Sequence, residues 1–496
     1  MSHLFYNIKN GFKYIVISFF SIVFMSSTIM LNSISIDNEK YSRNDATGFK
    51  LREATQFFYF YKNLGLFPLA VEKKDMKKLN GGAGKARRFI KEHPEKLRME
   101  IKHWYRFGES ARIWALFPSY YTGEPINKLT LKPLNATVFS ITGVLLLIAC
   151  YKLGGIIVAL AGVSLYVSSP FLLSESFLRD NIFAIQPMLH IFAISLFIIL
   201  HGKQKWYLVA ASVFVALISG LFSEIRGENI TVLLVPILYW LVVSSLSLKG
   251  KILVTLAVVS SFILVKSSIR EHFEDAYERT YKTVESVGGV TFDGSTTGQH
   301  PVWHPFLAGL GDYGQDKGFL WSDIDIFYRV LGKSGFTEEE IRNVVSTYYD
   351  PETQYYYKRP ETVDNYSSLA RNEFLGTIMD DPFWYASILI KRAVRIVTDV
   401  PPITFYVLDK RVEVGFYSLV AVLVIVGLLV SRQSYINSFS RLDVFVVLGA
   451  LSMSGIAFLI HTGKGATYGT VLPLMISVIL ISKCIPIVNG SKEECN

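Results

Sequence analysis

Four charged stretches and one histidine-rich stretch hold the residues that could do chemistry. The first is YSRNDATGFKLRE, 41–53, where Asp45 stands among Arg43, Lys50 and Arg52. A carboxylate among cations stays ionised and can accept a proton or bind a metal. The same residues suit a helix start at NDATGF, with Asn44 or Asp45 capping orphan backbone N–H groups. The second is LLSESFLRDN, 172–181, which crowds Glu175, Arg179 and Asp180 together. Glu175 and Arg179 are four apart and pair on one helical face. In the third, LFSEIRGENI at 221–230, Arg226 lies between Glu224 and Glu228. Its guanidinium can hold a phosphate through two parallel hydrogen bonds, or simply pair with its own glutamates. The fourth, HTGKGATYG at 461–469, carries His461, Lys464 and Tyr468. A lysine among glycines reaches a phosphate as a point charge, although the spacing is not that of a Walker loop.

The histidine-rich stretch is GQHPVWHPFLAGLGDYGQDKGFLWSD, 298–323. His300 and His304 have the four-residue spacing of a helical metal pair. Pro301 and Pro305 follow them, and the residue before a proline is pushed to extended geometry. The segment is therefore expected as a loop, in which helical spacing means nothing. No third His or Cys lies nearby, though Asp312 could contribute a ligand. The stretch reads as a curved wall of rings, including Trp303, of the kind that stacks on apolar faces of ligands, sugars among them. A loop packed on its own domain is the plainer alternative.

The elements that must position these residues are membrane helices. Hydrophobic residues make up 51% of the 496-residue chain, mean hydropathy is +0.34, and the apolar residues come in long runs. About 20 apolar residues cross a bilayer as a helix. Ten candidate spans fall at 14–36, 136–152, 156–173, 182–200, 206–222, 230–247, 251–267, 414–430, 443–460 and 468–487. The run from 136 to 173 is too long for one crossing, and YKLGG at 151–155 is the natural turn within it. The expected fold is an all-α polytopic membrane protein of about ten transmembrane helices with mostly helical outside loops. Its parts are an anchor span (1–36), a first outside loop (37–135), a six-span core (136–267), a second small outside domain (268–413) and a three-span bundle (414–496). The three cysteines, Cys150, Cys484 and Cys495, imply no disulfide framework.

Lysine and arginine set the orientation. With the N-terminus inside, the short inside loops hold Lys9, Lys13, Lys152, Lys203, Lys205, Lys249, Lys251, Arg432, Arg441, Lys483 and Lys492. The short outside loops hold only Arg179, Arg226 and Lys464. Both termini are then cytoplasmic, and all four charged stretches lie on the outer face. Residues 37–135 carry 20 Lys and Arg against 11 Asp and Glu, an excess equal to the whole chain's formal charge of +9. Positive charge beside lipid attracts anionic headgroups or a phosphate-bearing lipid substrate. Segments 55–70, 103–121 and 381–397 mix aromatics with scattered charge and are expected as amphipathic helices in the interface, with Lys391, Arg392 and Arg395 facing headgroups. The spans themselves are nearly free of ionisable residues, His190 excepted, whereas a transporter would place polar groups near the midplane.

This pattern resembles the GT-C superfamily of polytopic membrane glycosyltransferases, which use polyprenyl-phosphate-linked sugars. The likeness covers most of the chain by architecture. The family's acidic residue soon after span one matches Asp45 in RNDATG. Its second charged loop matches Glu175, Arg179 and Asp180, and its lipid-phosphate cations match Arg226 and Lys464. Ala46 stands where the mannosyl- and aminoarabinose-transferring branches carry a second acid. The resemblance implies transfer from a polyprenyl-phosphate sugar to a glycan, lipid or protein acceptor, with inversion. It implies Asp45 as base and Arg179, Arg226 and Lys464 as phosphate ligands. Glu175 and Asp180 would serve as second acids, and His300, Trp303, His304 and Tyr468 as sugar or acceptor contacts. Oxygens of Asp45 and Asp180 would suit Mg or Mn. The setting implied is the bacterial inner membrane, in cell-envelope polysaccharide synthesis, with the active site on the periplasmic or extracellular face and no nucleic-acid partner. The competing readings are an O-antigen polymerase or ligase, and a transporter or flippase of lipid-linked glycans.

Overall fold

The computed structural model describes residues 61, 64–66, 69–70, 83–94, 97–99, 132–167, 169, 172, 185–289, 291, 302–312, 317–346, 365–400, 402–407, 410–431, 439–460 and 470–484. The chain is a helical membrane protein. Helices occupy part or all of the nine expected spans from 136–152 onward; the span at 14–36 lies outside the described residues. By length and composition, Leu134–Val167, Lys205–Ser223 and Leu248–Ser286 can cross a membrane, and shorter apolar helices cover Ile185–Leu200, Gly227–Val242, Phe416–Leu429 and Val471–Cys484.

The first of these is two helices in one. α2 (Lys132–Val167) breaks at Gly154 and Gly155, inside the expected YKLGG turn. Gly155 adopts φ +77°, ψ −162°, a region essentially restricted to glycine. The halves fold back on each other. The Tyr166 hydroxyl donates to the Phe139 carbonyl at 3.0 Å, and the two rings stack at 4.5 Å. α3 (Ile185–Leu200) packs along this hairpin. The Lys152 ammonium donates to the Ile199 and His201 carbonyls at the end of α3, where a helix favours a cation.

α4 (Lys205–Ser223) runs into a 3-10 turn (Gly227–Leu233) that continues as α5 (Leu234–Val242). From Trp206 to Glu224 along α4 is about 27 Å at 1.5 Å per residue, close to the ~30 Å hydrocarbon thickness. α6 (Leu248–Ser286) packs against α4. Gly220 permits the approach, since a Cβ there would sit 3.0 Å from the Phe262 carbonyl oxygen. Ile252, Leu253, Leu256, Ile263 and Leu264 face outward from α6. Such a surface fits lipid and not water.

α6 does not stop where its span was expected to end, near 267. It runs on unbroken for another five turns, with Ile269, Phe273, Ala276, Tyr277, Thr280 and Val284 buried on one face. That face receives part of the first hydrophilic segment. Tyr61 hydrogen-bonds His272 at 2.6 Å and packs on Phe273. α1 (Ala83–Glu92) adds Ala86, Phe89 and Ile90 to the same core. Leu69–Ala70 (β1) pairs antiparallel with Arg98–Met99 (β2), so the end of the expected 55–70 helix is extended instead.

The second hydrophilic segment has its own core. α7 (Trp303–Gly309), α8 (Asp323–Lys333), α9 (Glu338–Ser346), α10 (Tyr366–Asp380) and α11 (Pro382–Thr398) enclose Leu307, Phe319, Phe327, Leu331, Tyr366 and Phe374. The expected loop over 298–323 is therefore partly helix. Pro305 sits in the first turn of α7, where a backbone N–H has no helical partner to lose. A hairpin, β3 (Ile403–Val407) with β4 (Lys410–Val414), follows and departs from the expected all-α fold. The chain returns to apolar helices with α12 (Phe416–Ser431), α13 (Arg441–Ser452), α14 (Gly455–Leu459) and α15 (Val471–Cys484).

Candidate functional site

The candidate site lies at the end of the bundle where α4 meets the 3-10 turn. The turn is stitched from within. Asn229 donates to the Phe222 carbonyl at 2.9 Å and the Arg226 carbonyl at 3.1 Å, and Ser219 donates to the Asn229 carbonyl at 3.0 Å. Gln186, at the start of α3, reaches across with its amide nitrogen. It lies 2.9 Å from Thr231 Oγ1, 3.1 Å from the Glu228 carbonyl and 3.4 Å from the Met453 carbonyl. α3, the turn and the α13–α14 junction are thus tied at one point. Residues 173–184 enter α3, and residues 461–469 follow α14. The tie therefore joins the 3-10 turn to the elements that follow the second charged stretch and precede the fourth in sequence.

Arg226 caps the 3-10 turn and grips Glu228 with both arms, at 2.8 and 2.7 Å. The local pair weighed from the sequence is present, and a phosphate at Arg226 would have to compete with Glu228. Glu224 turns the other way. Its side chain is fully buried, and one oxygen takes Lys266 at 3.0 Å and Arg270 at 3.4 Å. The other oxygen, Oε2, has no partner among the described residues. Arg270 makes this contact through its Nε, and its side chain is 41% exposed. Sequence reading missed Lys266 and Arg270. The signal was available: two cations four apart where an apolar helix surface ends.

The line along α6 is continuous. Ile252, Leu256, Val259, Ile263, Lys266 and Arg270 follow one another at spacings of four and three, which is one side of an α-helix. An outward apolar strip thus ends in two cations. Lys266, Arg270 and Arg226 outnumber Glu224 and Glu228, leaving the cluster net positive.

Trp303 and His304 are placed in the second segment's own core. His304 is 1% exposed; Nδ1 meets the Tyr366 hydroxyl at 2.7 Å and Nε2 meets Asp323 at 3.2 Å. Its ring packs on Phe327. Trp303 packs on Phe306 and Phe374. Both residues hold the domain together, and His304 presents no free ring nitrogen to a sugar. His190 is buried, with Nδ1 2.9 Å from the Gln186 carbonyl.

Arg392 corrects another expectation. It does not face headgroups but is 1% exposed. Its Nε donates to Asp312 at 3.0 Å, and Nη1 reaches the Phe458 and Leu459 carbonyls at 3.2 and 2.8 Å. Nη2 donates to the Gly309 carbonyl. Asp312, weighed above as a metal ligand, is spent on this pair.

Asp45, Glu175, Arg179, Asp180, His300, Lys464 and Tyr468 lie outside the described residues. Among the described residues, no three His, Cys, Asp or Glu gather as a metal site. The oxygens expected for Mg or Mn, those of Asp45 and Asp180, are not among those described.

No protein-family model matches the chain, and no curated protein matches it. A solved structure to which it is similar is the archaeal oligosaccharyltransferase AglB from Archaeoglobus fulgidus, in complex with an inhibitory peptide and a dolichol-phosphate. Identity is 11% and the TM-score 0.37, over 92% of this chain and 50% of that one. The chain thus spans half the length of that protein. A superposition this low carries neither fold nor function, and the site stands on its own residues.

Proposed function

We propose that the protein is a membrane glycosyltransferase that moves a sugar from a polyprenyl-phosphate donor to a glycan, lipid or protein acceptor at the outer face of the membrane. One observation carries the reading: the apolar strip of α6 ends in Lys266 and Arg270, which share the buried Glu224. An isoprenoid phosphate has that shape, a long apolar chain with an anion at one end. The strip from Ile252 to Lys266 is about 21 Å long at 1.5 Å per residue. Glu224 holds the two cations in place, and the partly exposed Arg270 guanidinium meets phosphate oxygens.

The chemistry needs little more. The bond between the anomeric carbon and the phosphate oxygen breaks, and its electrons leave with the phosphate. Fixed cations stabilise that growing charge without reorganising. The acceptor hydroxyl attacks the opposite face and gives its proton to a carboxylate, the role assigned to Asp45. Arg179, Arg226 and Lys464 stand close enough in sequence to the same meeting point to add phosphate contacts. The test is a lipid analysis of cells with and without the gene, paired with transfer from purified polyprenyl-phosphate sugars in nanodiscs. Loss of the gene should accumulate a sugar-phosphate lipid, and Asp45→Asn should abolish transfer in a folded protein. Unchanged lipids and a fully active Asp45→Asn variant would sink the reading.

A further inference from the structure

α11 has two faces of opposite kind. Ile388 and Arg392 are buried, and Trp384 and Tyr385 pack on the core of the second segment. Ile396, two turns on, packs instead against the core of the bundle. On the far side, Phe383, Ala386, Ile390, Ala393, Val394 and Val397 are all exposed. Phe383, Ala386, Ile390, Ala393 and Val397 are three or four apart, and Val394 is four from Ile390, which puts all six on one stripe. Phe383 is 88% and Ile390 65% exposed, and Met379 at the end of α10 extends the patch at 74%. A monomer in water rarely keeps such a stripe uncovered.

We propose that this stripe of α11 is seated in the boundary between lipid headgroups and acyl chains. Three observations favour lipid over a protein partner. First, α11 sits at the bundle's end: Arg392 binds the Phe458 and Leu459 carbonyls, where α14 ends. Second, α12, the apolar helix that follows the hairpin, likewise exposes Val422, Ile425 and Leu429. Third, Lys391 and Arg395 flank the stripe on one side, where ammonium and guanidinium groups meet phosphates while the stems cover apolar surface.

The inference goes beyond an amphipathic pattern in the sequence. That pattern put Arg392 among the headgroup-facing residues; the structure rolls the helix so that Arg392 faces the protein. Arg392 then joins the lipid-seated helix to Gly309 and to the backbone just before residues 461–469. Lipid contact at Phe383 and Ile390 thereby bears on where that stretch begins.

The test uses the full chain in nanodiscs, with Cys150, Cys484 and Cys495 replaced by Ala. Single cysteines are placed at Phe383, Ile390 and Val397, and at Lys391 and Asp399 as rim controls, and each is labelled with a polarity-sensitive fluorophore. Spin-labelled phospholipid should quench the three stripe positions at least threefold more than the rim, while iodide should quench the rim more. Equal iodide quenching at stripe and rim would overturn the proposal. Protection of the stripe from both quenchers would also overturn it, by showing that protein covers the face. Ile390→Glu, which leaves the Arg392 contacts in place, should abolish the difference between stripe and rim at Phe383.

Discussion

Among the described residues, the buried ion-pair sites at Arg392 and at Glu224 are built on opposite plans. At the Arg392 site a single cation is surrounded. Asp312 and three backbone carbonyls consume Nε and both Nη groups, and the side chain is 1% exposed. At the Glu224 site a single anion is buried, one of its oxygens is unpartnered among the described residues, and its two cations reach outward. A closed network holds two pieces of chain together, whereas an open one keeps donors available for something else. The contrast separates a joint from a binding site without appeal to any relative.

The largest effect should come from opening the closed site. Arg392→Met takes the buried ionic partner from the Asp312 carboxylate, and breaking such a pair costs about 3–5 kcal/mol. Thermal unfolding in detergent should record that loss, and adding Asp312→Leu should recover much of it. A single variant as stable as the parent would show that the site is not a joint. Gly309→Ala strikes the same joint sterically, since the new Cβ would sit 1.7 Å from the Ile460 carbonyl oxygen. Overpacking of this kind costs about 1–3 kcal/mol, and limited proteolysis should cut between the second segment and the bundle sooner.

The open site should behave differently. Arg270→Ala leaves Lys266 on the Glu224 carboxylate, so it should cost less stability than Arg392→Met. It should lower kcat/KM for the lipid-linked donor about tenfold, near 1.4 kcal/mol. A variant equally active but unstable would reverse the assignment of the two sites. The smallest effect belongs to Asp381, which caps α11 through the Trp384 N–H at 3.0 Å and pairs with Lys317 at 2.9 Å. The Lys317 hydrogen bond first, then the Trp384 N–H, lower its carboxyl pKa. A depressed folded pKa means that stability is fully present above the unfolded value, about 3.9. It is lost as pH falls from there through the folded value. Asp381→Asn should flatten that acid slope, with its small loss of stability present at neutral pH and vanishing at low pH; an unchanged slope would assign it to other carboxylates.

Much of the bundle was legible because apolar runs and glycine pairs are local signals. Gly154 and Gly155 sit mid-run in 136–173, and the chain reverses there. Residues 302–312 misled because two prolines were read as loop makers, although the first turn of a helix tolerates one. Arg392 misled more deeply. Its partners, Asp312 and the Phe458 and Leu459 carbonyls, are 80, 66 and 67 positions away, and no period in the sequence carries such a distance. Lys266 and Arg270 were visible as charges, but only the packing of α4 on α6 supplies Glu224 between them. The pattern at 381–397 correctly marked an amphipathic helix, yet it could not say which face turned inward.

α6 also has a mechanical meaning. At 39 residues it is about 58 Å long, nearly twice the hydrocarbon thickness. Its last 18 residues, about 27 Å, stand clear of the apolar section as a mast on which Tyr61, Phe89 and Leu97 hang. A mast amplifies the rocking of its foot. A tilt of about 5° within the bilayer swings the tip by roughly 2 Å, comparable to the difference between a made and a broken hydrogen bond. Bilayer thickness and lateral pressure would then reach residues in the first hydrophilic segment as displacement, transmitted by one stiff rod.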